Sequence, residues 1–503
     1  MAQALPGMIH TDWDILRNSM LFLAIYMSLI SGFPEWLPEQ QRVLNQWKRL
    51  LETHFEQFCF TPMDTPVVER MSTLLSKGDD SEIYTLGRWA DLAQDHRVNP
   101  SENDVKNPAS DLHKKPLTPE RQLGLRFDLT IPLARYVVQH RGVLVFPYRR
   151  YHIAPVWRGE RPQEGRFRQF YQCDIDVVGQ DTLPSAYDGD TIFIMHRALE
   201  SLDIQSFLGP VCWHINHRHV LTSWADYAGI SDVTGALRVI DKWEKIGIES
   251  VLTSLKELKA SPESLDILSS WAHDTSSASD QINRLKSLDW PAAFHDALQH
   301  LDQTAQHLGM RGMNAEHIRF SPLLARGLTY YSGITFEAKL PQHGDLGSIC
   351  AGGRYDHLAN MLSSKKAFPG VGASIGLSRL FARFIEHHAP VSPSGDVLIC
   401  VQDAQHLGAS IQLGDTLRDL GVRTEVFLGM SSLKNQLNYA NRKGFPLVVL
   451  ANAQEWENQC VQIKNMSSGQ QNLVPISNLP VAVMEHLAKI NQHPDGNPNQ
   501  IQP

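Results

Sequence analysis

These 503 residues lack most of what marks a secreted, membrane-embedded or DNA-coating protein. The six cysteines (Cys59, Cys173, Cys212, Cys350, Cys400 and Cys460) are scattered, and no two stand in C-x-x-C spacing. That excludes a zinc ribbon and a disulfide framework, and it fits the reducing cytoplasm. An excess of positive charge is missing too: 46 Lys and Arg face 54 Asp and Glu, for a net charge of −8. A wholesale basic coat for nucleic acid is thereby excluded, although a local basic groove is not. Long apolar runs are absent as well. The run Met20–Ile30 (MLFLAIYMSLI) has 11 residues, where a helical membrane span needs about 20, so no membrane association is expected. Asp12 and Asp14 precede that run against a single Arg17, and no A-x-A site follows it, which argues against a secretory signal. Residues 1–30 therefore read as an extension. Either its apolar run is covered in the fold, or the native chain starts at Met20 or Met27. Internal repeats are lacking.

What is present divides into segments. A chain of this length exceeds one core, so several domains are expected. Glu39–Phe58 carries Val43, Trp47, Leu50, Leu51, Phe55 and Phe58 at helical spacing and predicts an amphipathic helix. It runs into Phe60-Thr-Pro-Met-Asp-Thr-Pro66, where two prolines enforce extended backbone. The polar stretch Asp91–Pro119, broken by Pro100, Pro108, Pro116 and Pro119, reads as a surface loop. Strand-like runs follow at Gly124–Leu129, Arg149–Trp157, Phe167–Val178 and Ile334–Ala338. Their polar content suggests an antiparallel sheet with one working face. Between Arg218 and Gln306 the pattern turns helical, as in Val220–Ala228, Thr234–Lys242 and Ala292–Leu308. After the linker Pro390-Val-Ser-Pro-Ser-Gly395, strands at Val397–Val401, Val422–Phe427 and Leu447–Ala451 alternate with helices at Leu407–Leu420 and Ser432–Lys443. That alternation predicts a small α/β domain. The Asn/Gln/Pro-rich tail from Asn491 is expected to be disordered.

Four segments carry chemistry. Arg158-Gly-Glu-Arg-Pro-Gln-Glu-Gly-Arg-Phe-Arg-Gln-Phe-Tyr-Gln-Cys-Asp-Ile-Asp176 holds four arginines around a Pro/Gly-punctuated centre, which predicts a hairpin with a loop at its tip. A mixed Arg/Glu run is most often just a solvated hairpin. Here Phe167, Phe170, Tyr171 and Gln172 interleave with the arginines, and guanidinium forks beside aromatic faces suit phosphates next to a stacked base. The second segment is Ala325-Arg-Gly-Leu-Thr-Tyr-Tyr-Ser-Gly-Ile-Thr-Phe-Glu337, and the third is Gly352-Gly-Arg-Tyr-Asp356. The fourth is Pro369-Gly-Val-Gly-Ala-Ser-Ile-Gly-Leu-Ser-Arg-Leu380. Its glycines permit close approach of a strand and a helix, but it lacks the Lys-Ser/Thr of a Walker loop and Rossmann spacing. Each segment is weak alone, and their order is informative.

With these motifs in this order, from Ser31-Gly-Phe-Pro-Glu-Trp-Leu-Pro38 to about residue 490, the chain resembles the histidyl-tRNA synthetases, members of the class II aminoacyl-tRNA synthetases. The stretch ending at Pro66 is similar to motif 1, Arg158–Asp176 to motif 2 and Gly372–Arg379 to motif 3. The Arg-Gly-Leu-x-Tyr-Tyr and Gly-Gly-Arg-Tyr-Asp elements resemble the two histidine-specific peptides. The resemblance implies an α+β fold, a class II antiparallel sheet flanked by helices, with a helical insertion domain and a C-terminal α/β anticodon-binding domain. It implies catalytic-core parts over 31–218 and 309–390, the insertion over 219–308, the anticodon-binding domain over 391–490 and a tail over 491–503. It further implies activation of L-histidine with ATP and Mg2+, transfer to histidine tRNA, and a homodimer built on motif 1.

Site roles implied by the resemblance follow residue by residue. Arg158 would grip the α-phosphate and Arg326 would reach it from the opposite side, the two acting as catalytic groups. Arg379 would take the γ-phosphate, Phe170 would stack on adenine, and Glu160 would meet the adenine edge or the tRNA end. Asp128, Thr130 and Gln172 would hold the α-ammonium, with Asp176 and Tyr331 bracketing the imidazole and Tyr330 adjacent. No metal ligands are expected from the protein. Three departures stand out: Thr329 where the family usually has Asp, Asp176 where many members have Glu, and Phe-Asp-Leu-Thr130 in place of Pro-Glu-Gly-Thr. The competing reading is a non-catalytic, synthetase-like regulatory subunit of ATP phosphoribosyltransferase. Such paralogues lose the anticodon-binding domain and erode the Arg-Gly-Leu-x-Tyr-Tyr peptide, both of which this chain keeps.

Overall fold

The computed structural model describes residues 30–77, 82–87, 122–163, 165–326, 330–357, 366–387, 393–429 and 431–492. The apolar run ahead of Ile30, the Asp91–Pro119 loop, Thr329 and the tail beyond Gln492 lie outside the described residues. Two compact units emerge. One holds Trp47–Arg383 with the few described residues before Glu35, and the other holds Glu35–Gln46 and the chain from Phe384.

The larger unit is organised by an eight-stranded sheet. Its strands are β1 (Thr61–Pro62), β2 (Tyr148–Trp157), β3 (Gln169–Val178), β4 (Cys212–His217), β5 (Ile318–Phe320), β6 (Ile334–Lys339), β7 (Ser348–Tyr355) and β8 (Gly370–Gly376). Their spatial order is β1-β2-β3-β8-β7-β6-β4-β5. Only the outermost pairs are parallel, β1 with β2 and β4 with β5; every inner pair is antiparallel. The expected antiparallel sheet is present, and the arginine-rich segment joins β2 to β3 as the expected hairpin.

The run Gly124–Leu129 departs from expectation. Only Leu123–Leu125 is a strand, and it pairs with Val68–Arg70 and Thr85–Leu86 in a separate small sheet. The extended backbone stops because Asp128 turns the chain into helix α2 (Thr130–His140). Its Oδ1 accepts from the amides of Thr130 (3.1 Å) and Ile131 (2.9 Å), which satisfies donors that a helix start leaves open.

Helix α1 (Pro38–Gln57) closely matches the predicted amphipathic stretch. Its Trp47, Leu51 and Phe55 are fully buried, worth about 1.5–3 kcal/mol for each large apolar side chain. Trp47 meets Phe381 edge-on at 5.4 Å, and Phe55 lies 5.9 Å from Tyr151 on the sheet. The predicted helices between β4 and β5 form at Arg218–Tyr227, Val233–Ile240 and Ala292–Met310, with further ones between them. Ser and Asp side chains open several of them: Asp232, Ser261 and Ser277 each accept from the amide three residues on. An aromatic cluster of Tyr227, Trp271, Trp290 and Phe294 fills the space between these helices.

The smaller unit carries the predicted alternation as β9 (Val397–Ile399), β10 (Thr424–Val426) and β11 (Leu447–Leu450), parallel in the order β10-β9-β11. An antiparallel pair not foreseen from sequence, Cys460–Asn465 and Gln471–Pro475, extends the sheet beyond β11. Alternate strand residues feed opposite faces. Val397, Ile399, Leu447 and Val449 meet Leu413, Leu417, Leu479 and Val483 on one side. Leu398, Val448 and Leu450 meet Ala440 and Phe445 on the other. The last helix runs to Gln492, two residues into the stretch expected to be disordered.

Candidate active site

Strand β3 places Phe170, Gln172, Asp174 and Asp176 on one face, because side chains alternate along a strand. Its neighbour β8 sets Gly376, Ser374 and Gly372 opposite the last three of these. The face opens into a cleft of about 260 Å³. All eleven residues singled out from the sequence line it: Asp128, Thr130, Arg158, Glu160, Phe170, Gln172, Asp176, Arg326, Tyr330, Tyr331 and Arg379. Arg166, Asp174, Ser348, Ser374 and Tyr355 line it as well and had been given no role.

One end of the cleft is cationic. Arg158 lies over the rings of Phe127 (4.5 Å) and Phe170 (5.1 Å), while its Nε donates to the Phe127 carbonyl at 3.3 Å. Phe170 itself packs against Leu129, Ala154 and Val156. Arg379, in the helix Leu377–His387, donates to the carbonyls of Gly165, Leu346 and Ser348 at 2.9–3.2 Å. Burial first, and then the charges of Arg166 and Arg326, bring its pKa down to about 10. Guanidinium groups crowded to that degree favour an anion between them. Arg326 is held from the other side: its Nε meets Glu337 Oε2 at 2.6 Å and its Nη2 donates to Ser348 Oγ at 2.8 Å. Burial alone would raise the Glu337 pKa, but Arg326 and Lys339 outweigh it and keep the carboxylate ionised. Glu160 stands 3.8 Å from Arg166.

The other end is a row of carboxyl, amide and phenol groups. Asp176 is pinned on both oxygens: Arg150 Nη2 lies 2.6 Å from Oδ2, and the Tyr355 hydroxyl donates to Oδ1 at 2.6 Å. The sequence reading assigned this carboxylate to substrate alone, without foreseeing the fully buried Arg150 beside it. Gln172 Nε2 donates to Ser374 Oγ at 2.9 Å, while its Oε1 is buried without a hydrogen-bond partner. Tyr330 and Tyr331 stand 4.2 Å apart and pack with Tyr355 against Ile131 and Ala134 of α2. The neighbouring Arg354, on the opposite side of β7, turns away from the cleft. Its Nε and Nη2 grip Asp188 at 2.7–3.1 Å and tie the sheet to helix α3 (Ala186–Ser201). In the Gly-Gly-Arg-Tyr-Asp element, then, the tyrosine faces the site and the arginine holds the fold.

Glycine is required at 372. A Cβ there would fall 2.0 Å from Asp176 Oδ1 and 2.8 Å from the Ile175 carbonyl. Gly372→Ala is expected to cost about 1–3 kcal/mol of stability and to displace Asp176. Thermal denaturation and the KM for the substrate bound beside Asp176 measure both effects; an unchanged variant would show that Asp176 can move freely.

Comparison with known proteins gives a consistent picture. A family model described as Histidyl-tRNA synthetase matches residues 114–380, and an Anticodon binding domain model matches residues 396–486. The histidine–tRNA ligase of Clostridium tetani is 35% identical over 453 residues, covering 88% of this chain and 95% of that protein. That of Bifidobacterium animalis subsp. lactis is 37% identical over 457 residues, covering 88% and 93%. The crystal structure of histidyl-tRNA synthetase from Nostoc sp. PCC 7120 superposes with a TM-score of 0.76 at 29% identity, covering 91% of this chain and 99% of that one. A Bacillus halodurans structure described as an ATP phosphoribosyltransferase regulatory subunit/histidyl-tRNA synthetase shares the fold at 17% identity, with a TM-score of 0.66 and 85% of this chain covered.

Proposed function

Because this chain belongs to the histidyl-tRNA synthetase family, we propose that it is a histidine–tRNA ligase. It activates L-histidine with ATP to the adenylate and pyrophosphate, and then passes histidine to the 3′ end of its tRNA. The observation that carries this reading is the two-ended cleft. An arginine cluster built for phosphates adjoins a carboxyl, amide and phenol row built for a nitrogen-rich amino acid. In the first step the histidine carboxylate attacks the α-phosphorus and pyrophosphate leaves. In the second, a terminal ribose hydroxyl of tRNA attacks the adenylate carbonyl. Neither step needs a protein nucleophile, and positioning plus charge stabilisation suffices.

The roles distribute along the cleft. Arg158 and Arg326 hold the α-phosphate from two sides and stabilise the charge that grows there. Arg379 takes the γ-phosphate, and Phe170 and Glu160 serve the adenine. Gln172 Oε1 accepts from the α-ammonium, with Thr130 and the charge of Asp128 beside it. Asp176 and Tyr331, with Tyr330 behind, read the imidazole. Magnesium would arrive with the ATP phosphates as part of that substrate. The unit after Phe384 serves the anticodon, as the residues matched there imply. Two copies pair through the motif 1 segment, where the Asp64 carboxylate and Val67 are exposed at the β1 edge of the sheet. Among the described residues no helix is long and apolar enough to cross a membrane, and the protein works in the cytoplasm with its tRNA.

The regulatory-subunit reading is less well supported, since it leaves the arginine cluster and the anticodon-binding match without a purpose. Histidine-dependent exchange of labelled pyrophosphate into ATP tests the proposal directly. Exchange with histidine, and with none of the other standard amino acids, is the expected result. A pure, folded protein that binds histidine but exchanges no pyrophosphate would overturn it in favour of the regulatory subunit.

A further inference from the structure

Asp174 has no part in the roles above, yet it sits between Gln172 and Asp176 on the working face of β3 and lines the same cleft. It is buried, with only 3% of its surface exposed. Ser374, opposite it on β8, hydrogen-bonds its carboxyl group, but Oδ1 has no hydrogen-bond partner. The Gln172 Oε1, two residues away on the same face, is buried and equally without one. Two acceptors left open side by side are costly unless a donor visits them.

The groups around Asp174 say what that donor is. Arg150 and His152 face it from β2, Asp176 adjoins it on β3, Asp128 and Arg126 reach it from the segment before α2, and Cys350 from β7. Arg150 spends its Nη2 on Asp176, and its Nε and Nη1, although buried without hydrogen-bond partners, do not reach Asp174 Oδ1, which is equally without one; Arg126 donates to the carbonyls of Pro155 and Thr65. His152 is kept neutral, its pKa lowered to about 4 by burial and then by Arg150 and Arg126. Burial raises the Cys350 thiol pKa, so it too is uncharged. Burial likewise pushes Asp174 itself up to about 7, with Arg150 pulling it down and Asp176 and Asp128 adding to the rise. A carboxyl group poised in this way ionises when a cation is delivered to it.

We propose that Asp174 is a further histidine-binding residue, whose Oδ1 accepts a hydrogen bond from the α-ammonium beside Gln172 Oε1. This rests on the function proposed above and refines its amino-acid subsite. An ammonium carries three N–H donors. Asp174 and Gln172 take two of them, and the charge of Asp174 becomes available as the ligand docks.

The test uses the full-length protein and the isosteric variant Asp174→Asn, which resembles the protonated carboxyl and should fold. Pyrophosphate exchange gives KM for histidine and for ATP, and 3-(imidazol-4-yl)propionate, which lacks the α-amino group, serves as a competing ligand. In Asp174→Asn the KM for histidine is expected to rise about 10- to 100-fold, the worth of a charge-assisted hydrogen bond. The KM for ATP, the melting temperature and the inhibition constant of the propionate should stay unchanged. The ratio of variant to wild-type KM should also grow between about pH 6 and 8, as wild-type Asp174 ionises. Titration of the free histidine imidazole affects both proteins and cancels in that ratio.

A parallel loss for histidine and for the propionate would place Asp174 at the imidazole and overturn the assignment. An unchanged KM for histidine, or an equal rise for ATP, would overturn it too. Wild-type protein that fails to exchange pyrophosphate with histidine would instead remove the proposed function itself.

Discussion

Arg326→Ala is expected to slow histidine-dependent pyrophosphate exchange by about 10²–10³-fold, as is typical when one transition-state donor is removed. The reason lies in how the side chain is held. Glu337 and Ser348 fix two edges of the guanidinium at 2.6 and 2.8 Å, while 45% of the side chain remains exposed. The group is therefore oriented before substrate arrives, so little reorganisation accompanies the reaction. Removing it leaves Glu337 still paired with Lys339 at 2.7 Å and with Ser348 at 2.5 Å, so the fold should survive and the loss should appear in the rate. Arg326→Lys restores charge but not the two-edged grip, and is expected to recover only part of the activity. Arg158→Ala should lose a similar factor. Single-turnover adenylate formation checks both, and near-normal turnover in Arg326→Ala would refute its role at the α-phosphate.

Asp176→Ala is expected to destabilise the protein by about 3–5 kcal/mol, the usual result of leaving a buried charge without its partner. Arg150 has no solvent exposure, and Asp176 lies 2.6 Å from it. The Tyr355 hydroxyl loses its acceptor in the same step. The alanine variant would thus blur a test of histidine recognition with a failure to fold. Asp176→Asn is the milder probe, because at unchanged size its one carbonyl oxygen keeps an acceptor for either Tyr355 or Arg150, while the imidazole loses the carboxylate charge. Its KM for histidine should rise well above any change for ATP. Denaturation in urea measures the first expectation and exchange kinetics the second. Wild-type stability in the alanine variant would mean that Arg150 finds another partner.

Much of this site was legible in the chain. Phe170 and Gln172 announced themselves by type within an arginine-rich hairpin, and Asp176, Arg326, Tyr330, Tyr331 and Arg379 through the resemblance of their motifs; all reach one cleft. Asp174 was missed although period two on the predicted strand Phe167–Val178 already placed it beside Gln172 and Asp176. Arg150 could not be found in that way. Its importance comes from standing opposite Asp176 in the register between β2 and β3, and a register is a property of two strands together. Nor did the Gly-Gly-Arg-Tyr-Asp element reveal that Arg354 serves helix α3 while Tyr355 serves the site.

By itself the sequence determined the local features, because each is written within one element or its immediate neighbours. These include the amphipathic spacing of Glu39–Phe58, the hairpin around Arg158–Asp176, the helices after β4 and the strand-helix alternation beyond Gly395. The strand Gly124–Leu129 failed for the same kind of reason in reverse, since Asp128 spends its carboxylate on starting a helix. Only the tertiary structure decided that four arginines from three separate stretches share one end of a cleft. It also decided that Asp176 neutralises Arg150, and that Asp174 and Gln172 keep open acceptors. The Asp176–Arg150 pairing depends on the register between β2 and β3, and the shared cleft on the order β3-β8-β7-β6 across the sheet. The neighbours β3 and β8 lie far apart in the chain, and no local periodicity specifies that they pair.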